Sequence, residues 1–479
     1  MEITREAIHR YFEEHTEDLL NDLAAMVAVE SARGPALPGK PFGEGPAQAL
    51  ALAERLISEA GFKAVNHDNY VVTGDMNESE TILNILAHLD IVPVGTGWTR
   101  PPLTLTREGN ALYGRGAADN KGPAIAVLYA MKCLRELGAE LSSNCRLILG
   151  ADEECGSGDL RYYFSKHTPP RYTVTPDAGY PIINTEKGRL ELTADGSWSP
   201  GTSLPRLRGF KGGVKINVVP AEAEAEIEGL SSSALAPFLA TAEKETCASF
   251  TAEEQNGKTL IHVKGQSSHA AWPDTGVNGI TALLTLLSAL PLAEDRPLQA
   301  LKGISALFPH GEADGHSAGI AMSDEISGPL TIALTVLELR EDGLHLEADC
   351  RAPLCANDGN VTDVLRERLG QIGLTAGENR MLPSHHTPAD SPLCKALIEI
   401  YEAYTGRKGE CIAIGGGTYV HNIEGGVGFG CDFPEDRCGA HGPDEHASLK
   451  NLLLSGEMYA QLILTLCGGR SASAGRRDS

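Results

Sequence analysis

The chain has 479 residues, enough for more than one hydrophobic core, because single cores stop growing at about 250 to 300 residues. Its 64 acidic against 40 basic residues give a net charge of −24, which argues against nucleic acid or an anionic membrane as partner, since both call for a basic face. The first 27 residues carry Glu2, Arg5, Glu13, Glu14, Glu17 and Asp18 where a signal peptide needs an apolar run, so a cytoplasmic location and a small substrate are expected.

The N-terminal stretch places Ile8, Phe12, Leu19, Leu23 and Val27 at helical spacing, and residues 49–60 read as a second helix stopped by Gly61. Runs at 81–86 (TILNIL) and 145–149 (CRLIL) have strand character and flank a helical stretch at 123–137. Strand alternating with helix predicts an α/β domain with a mostly parallel sheet. The pattern changes near Gly188. Strands are expected at 190–194, 214–219, 223–227, 260–263, 330–339 and 344–350, with one helix at 277–290, which describes an α+β insertion. The α/β pattern returns near Leu382 with a helix at 392–404, a glycine run at 415–417 and a helix at 448–467. The expected organisation is a discontinuous catalytic domain, 1–187 with 382–479, interrupted by a lid domain, 188–381. The longest apolar stretch, 281–293, is broken by Pro291 and is shorter than the roughly 20 residues of a membrane span. The tail SASAGRRDS is expected to be disordered. Eleven cysteines without paired Cys-x-x-Cys spacing read as reduced thiols.

Five segments supply metal-type side chains where apolar runs give way to Gly, Pro or Asn: His88-Leu89-Asp90, Asp119, Glu153-Glu154, Asp177 and His441. An α/β sheet presents ligands in this way at its strand ends. Each alone is equally read as turn chemistry, but together they provide two imidazoles and three carboxylates, with one acid and one base to spare. That set suits two divalent cations sharing a carboxylate. On a strand His88 and Asp90 share a face, so Asp90 is expected to orient the imidazole. Glu153 and Glu154, adjacent in extended chain, are expected to point to opposite sides and divide their roles.

The motifs HLD, GRGAADNKGP, DEECGSGD, PDAGYPIINTEKG, INVVP, SSHAAWPDTGVNG, GGGTY and AHGPDE occur in the order and spacing of the M20 metallopeptidases, and the chain resembles in particular the PepV-type bacterial dipeptidases. The resemblance spans about His88 to Leu449. It implies His88 and Asp177 on one cation, Glu154 and His441 on the other, Asp119 bridging, Asp90 orienting His88, and Glu153 as general base. It further implies Asn217 and His269 as oxyanion donors, Arg351 as the grip on a substrate carboxylate, and Gly415, Gly416, Gly417 and Thr418 as a substrate-facing run. Zinc is the favoured ion, with manganese or cobalt able to serve. The implied enzyme is a monomeric dipeptidase. An N-acyl amino acid amidohydrolase is the alternative within the family, and a silent amino-acid-binding protein is the alternative outside catalysis. Two departures stand out: Asn120 follows the bridging acid where relatives often have Asp, and His421 stands where they usually have Arg or Lys.

Overall fold

The computed structural model describes residues 3–199 and 201–468. The tail SASAGRRDS, expected to be disordered, lies outside the described residues. The chain forms two compact units. One comprises the residues up to Thr185, His386–Ile412 and those from Gly417 on, and the other comprises Glu186–His385 with Ala413–Gly416. The glycine run at 415–417 is therefore divided between them.

In the first unit the N-terminal periodicity resolves into two helices, Arg5–Glu14 and Thr16–Val27, interrupted at His15, where the backbone leaves helical geometry (φ −105°, ψ 15°). Thr4 caps the first helix by accepting the Ala7 N–H. Ile8, Phe12, Leu19, Leu23 and Val27 are all buried, as their spacing predicts. The next helix, Glu44–Glu59, begins five residues ahead of the expected start. Gly45 and Pro46 look like breakers in the sequence, but proline in a first helical turn loses no hydrogen bond, and Glu44 there suits the helix dipole.

The sheet of this unit includes, in spatial order, Lys63–His67, Val71–Asp75, Asn144–Gly150, Thr81–His88, Tyr172–Thr175 and Gly426–Gly428. The last four strands of that run are mutually parallel, and the first two form an antiparallel hairpin on its edge. Helices Lys121–Glu136 and Leu449–Cys467 pack on each other and on the central strand Thr81–His88. A strand covered on both faces has little reason to alternate, and Leu83, Ile85, Leu86 and Ala87 are all buried. Because the parallel strands point the same way, their carboxyl ends gather at one edge of the sheet.

The second unit is built on an eight-stranded antiparallel sheet in the order Ser249–Gln255, Lys258–Lys264, Glu222–Glu228, Arg206–Gly212, Thr331–Arg340, Gly343–Ala352, Gly188–Ser197 and Thr375–Ala376. Gly279–Ala289 fits the expected helix and is capped by Asn278. The expected strand at 214–219 does not form as one element. Gly213 takes a left-handed conformation (φ 75°), Val214 is 86% exposed, and only Val218–Val219 is extended. An apolar run interrupted by Lys215 and Asn217 has no face to bury once the glycine turns the chain. Among the described residues no helix is long and apolar enough to cross a membrane.

Ile85 is fully buried at the middle of the central strand, opposite Leu147 on one side and Val174 on the other. Ile85→Ala should destabilise the protein by about 2 to 5 kcal/mol through lost burial and a residual cavity, measured as a lower denaturant midpoint at unchanged slope.

Candidate metal centre

His88 is the last residue of its parallel strand, Glu153 and Glu154 follow the strand Asn144–Gly150, and Asp177 follows Tyr172–Thr175. Asp119 lies just ahead of the helix Lys121–Glu136, and its peptide bond to Asn120 is cis. His441 lies in the loop before the short strand His446–Ser448, in a left-handed conformation (φ 65°) uncommon for a side chain of its size. These residues are brought together from positions more than 350 apart in the chain. Asp119 Oδ1 is 3.0 Å from His88 Nε2, and Asp119 Oδ2 is 2.9 Å from His441 Nε2. Asp177 Oδ2 is 3.6 Å from His88 Nε2, and Glu154 Oε1 is 3.0 Å from His441 Nε2. Two groups of potential ligand atoms, His88/Glu153/Asp177 and His88/Asp119/Glu154, each converge within 4.8 Å.

Asp90 reaches the other imidazole nitrogen of His88 mainly through its backbone. Its carbonyl oxygen lies 3.0 Å from Nδ1, and its carboxylate Oδ1 lies 3.5 Å away. The strand ends at His88, so Asp90 does not share its pleat, and the carboxylate is directed instead at the next loop. There it accepts the N–H groups of Glu153 and Glu154, both at 3.1 Å. Glu153–Cys155 forms a 3₁₀ turn and not the extended segment expected from the sequence, because these two amides are taken up by one carboxylate. The two glutamates still separate, since each belongs to a different one of the two converging groups.

Burial and like charge dominate the electrostatics. Burial pushes the Asp177 carboxyl up to about 6, and burial together with the Asp177 and Glu154 charges holds Glu153 well above the usual carboxylate range. Burial opposes protonation of His88, but Asp177, Asp119 and Asp90 outweigh it and raise its pKa. Hydrogen bonds that the imidazole donates to Asp119 and Glu154 raise His441 to about 10. Burial acts to raise Asp119, yet its contacts with His441 and His88 leave it below the ordinary range. Positive charge at the imidazoles thus offsets a crowd of buried acids.

Divalent cations fit the same residues. The donor set is carboxylate oxygen and imidazole nitrogen, which zinc, manganese and cobalt accept. The two oxygens of Asp119 each face a different imidazole, as a bridging ligand requires. Asn120 Oδ1 is buried beside them without a hydrogen-bond partner. The sequence profile of peptidase family M20/M25/M40 matches residues 85–465. The chain belongs to this family. YtjP of Bacillus subtilis (strain 168), which carries a provisional dipeptidase name, is 34% identical over 455 residues, spanning 94% of this chain and 97% of YtjP. The Beta-Ala-Xaa dipeptidase of Lactobacillus delbrueckii subsp. lactis is 31% identical over 458 residues, spanning 94% of this chain and 96% of its own length. The fold of this M20 chain is shared with human carnosine dipeptidase 1, with TM-score 0.61, 15% identity, 97% of this chain and 98% of that one covered.

Within the second unit, Asn217 and His269 come together on a two-stranded ribbon. His269 pairs with Val218, and the Asn217 carbonyl accepts the Ala270 N–H at 3.0 Å. Arg351 is 4% exposed. Its Nε and Nη2 donate to Asp349 at 2.5 and 2.8 Å, and Nη1 donates to the Gly415 carbonyl at 2.7 Å. Thr418 lies in the first unit, where its side chain caps the turn Tyr419–Asn422.

Sequence reasoning did not find Asp159. It is fully buried, accepts the N–H groups of Ala151 and Asp152 at 2.6 and 2.9 Å, and accepts the Tyr419 hydroxyl. It thereby anchors the strand end that leads into Glu153. Its signal was present in DEECGSGD, an acid beyond glycines that has no ligand of its own to bind.

Because Asp119 and Glu154 push the His441 imidazole up to about 10, a cation that binds its Nε2 must displace a proton over the neutral range. Cation affinity should therefore rise with pH up to about 10, with proton release on binding. Calorimetric titration in buffers of different ionisation enthalpy measures this; proton uptake, or affinity falling with pH over 6 to 9, contradicts it.

Proposed function

We propose that the protein is a two-metal dipeptidase that hydrolyses the amide bond of dipeptides and other short peptides with a free C-terminal carboxylate. The observation that carries this reading is the Asp119 carboxylate, whose two oxygens address two imidazoles within 3.0 Å, one at a strand end and one on a distant loop. The likeness to the Beta-Ala-Xaa dipeptidase over nearly the whole of both chains supports the choice of substrate class.

His88 and Asp177 would hold one divalent cation and Glu154 and His441 the other, with Asp119 shared. Zinc is the ion proposed, and manganese or cobalt would suit the same ligands. The pair of cations would polarise the scissile carbonyl and lower the pKa of the attacking water. The chain's own work falls first to Glu153, whose carboxyl takes the proton of that water and later returns it to the departing amine nitrogen. Burial and the Asp177 charge raise this carboxyl well above the usual carboxylate range, which makes its carboxylate form a stronger base than an exposed glutamate. Asp90 keeps the glutamate turn in place and the Asp90 carbonyl keeps the His88 tautomer with Nε2 free for metal.

The reading assigns oxyanion stabilisation to Asn217 and His269 and the substrate carboxylate to Arg351. Of the five N–H donors of the guanidinium, three are used by Asp349 and Gly415, which leaves two for a carboxylate. Gly415, Gly416, Gly417 and Thr418 would supply backbone N–H groups to the substrate. The reading also has the second unit acting as a lid, in a cytoplasmic monomer.

Glu153→Gln should lower kcat by about 10² to 10⁴ while the protein keeps two cations per chain, measured by metal analysis alongside steady-state kinetics. Unchanged kcat would remove Glu153 from proton transfer. A panel of dipeptides, N-blocked dipeptides and N-acyl amino acids, assayed with and without chelator, tests the substrate class. Dipeptides with a free amine should be cleaved best, and faster turnover of the N-acyl amino acids would assign the protein to the amidohydrolases of the family instead.

A further inference from the structure

The short antiparallel pair Ala111–Tyr113 and His446–Ser448 lies between two of the metal-site loops. Beyond Tyr113 the chain runs through Gly114, Arg115 and Gly116 to Asp119, and ahead of His446 it runs back through Glu445 to His441. The ladder continues one step past its last pair, with the Gly114 N–H donating to the Glu445 carbonyl at 3.0 Å. Past that step neither loop has regular structure to hold it. Two side chains take over. Glu445, fully buried, accepts the N–H groups of Gly116 at 2.9 Å, Ala118 at 3.2 Å and Asp119 at 3.2 Å on one oxygen, Oε1. Its other oxygen accepts Arg115 Nη1 at 2.5 Å. Arg115, 1% exposed, then extends Nη2 to the carbonyl of His441 at 3.3 Å and to that of Val94 at 3.4 Å, and its guanidinium lies 5.1 Å from the Trp98 ring.

We propose that Arg115 and Glu445 are positioning residues that clamp the loop bearing Asp119 to the loop bearing His441 and so set the affinity for the cation held by His441 and Glu154. Neither touches a ligand side chain. Glu445 fixes the backbone from which Asp119 projects, and Arg115 fixes the backbone of His441. This matters most for His441, because its conformation is left-handed, its side chain is half exposed, and the carbonyl held by Arg115 is its own. A guanidinium is needed because one group must reach a carboxylate and two carbonyls at once, which the point charge of a lysine does not do. His88, by contrast, ends a buried strand paired on both sides, so its cation depends on the clamp only through the shared Asp119, whose backbone N–H keeps its carboxylate or amide acceptor in the variants below.

The inference rests on the two-metal reading, and cobalt(II) titration of the whole protein, followed by visible absorption and by calorimetry, separates the two. The wild type should bind two cobalt ions. If it binds fewer, the two-metal reading itself fails. In Arg115→Lys one cobalt should bind with affinity within about twofold of wild type, while the other should lose about 10- to 100-fold, the range that supporting partners of ligands command. The spectrum of the second ion should change in shape as well as in midpoint, a response that general destabilisation does not produce. If Arg115→Lys does not fold, as judged by circular dichroism, Glu445→Gln carries the comparison. That variant leaves the amides an acceptor but no longer pairs Arg115, so it predicts the same selective loss. Two cobalt ions bound with wild-type affinities and spectra in a folded variant overturn the clamp, as does equal weakening of both.

Discussion

One carboxylate, that of Asp119, is shared between two imidazoles that arrive on unrelated segments, and the geometry of the site follows from keeping it there. Half-buried beside Glu153, Glu154 and Asp177, it belongs to a crowd of acids whose joint ionisation is costly without positive charge among them. The two imidazoles supply that charge when protonated, and divalent cations suit the same place. Protons and cations therefore compete for one set of atoms.

The loops that carry these ligands share a second physical problem. They leave the sheet at strand ends, where backbone amides lose their ladder partners, yet they are buried and cannot turn those amides to water. Carboxylates solve it repeatedly. Asp90 takes the amides of Glu153 and Glu154, Asp159 takes those of Ala151 and Asp152, and Glu445 takes those of Gly116, Ala118 and Asp119. A carboxyl group offers two oxygens that can each accept more than one N–H, so a single side chain rigidifies each turn. The acids surrounding the site are thus of two kinds, those set against the imidazoles and those set against backbone amides.

Much of this was legible before the fold was known. The buried strand Thr81–His88 and the strand Asn144–Gly150 follow from apolar runs of the right length, and the helix Gly279–Ala289 from its periodicity. The candidate ligands His88, Asp119, Glu154, Asp177 and His441 stood out as polar residues closing apolar runs. What escaped was local geometry governed by partners distant in sequence. The break at His15, the early start of the helix at Glu44 and the collapse of the strand near Val214 turn on one or two residues each. The turn at Glu153 depends on Asp90, and no spacing within DEEC reveals it.

The sequence by itself determined which residue types are available and which segments are strands, because burial periodicity and strand-end polarity are local properties of the chain. Only the tertiary structure decided which acids face the imidazoles and which face backbone amides. Asp90, Asp159 and Glu445 read in the sequence like any other loop acid, and what separates them from Asp119 is the identity of the atoms that other loops bring within 3.2 Å. Hydrogen bonding and Coulomb energy act over distance in space, and chain separation carries no record of that distance.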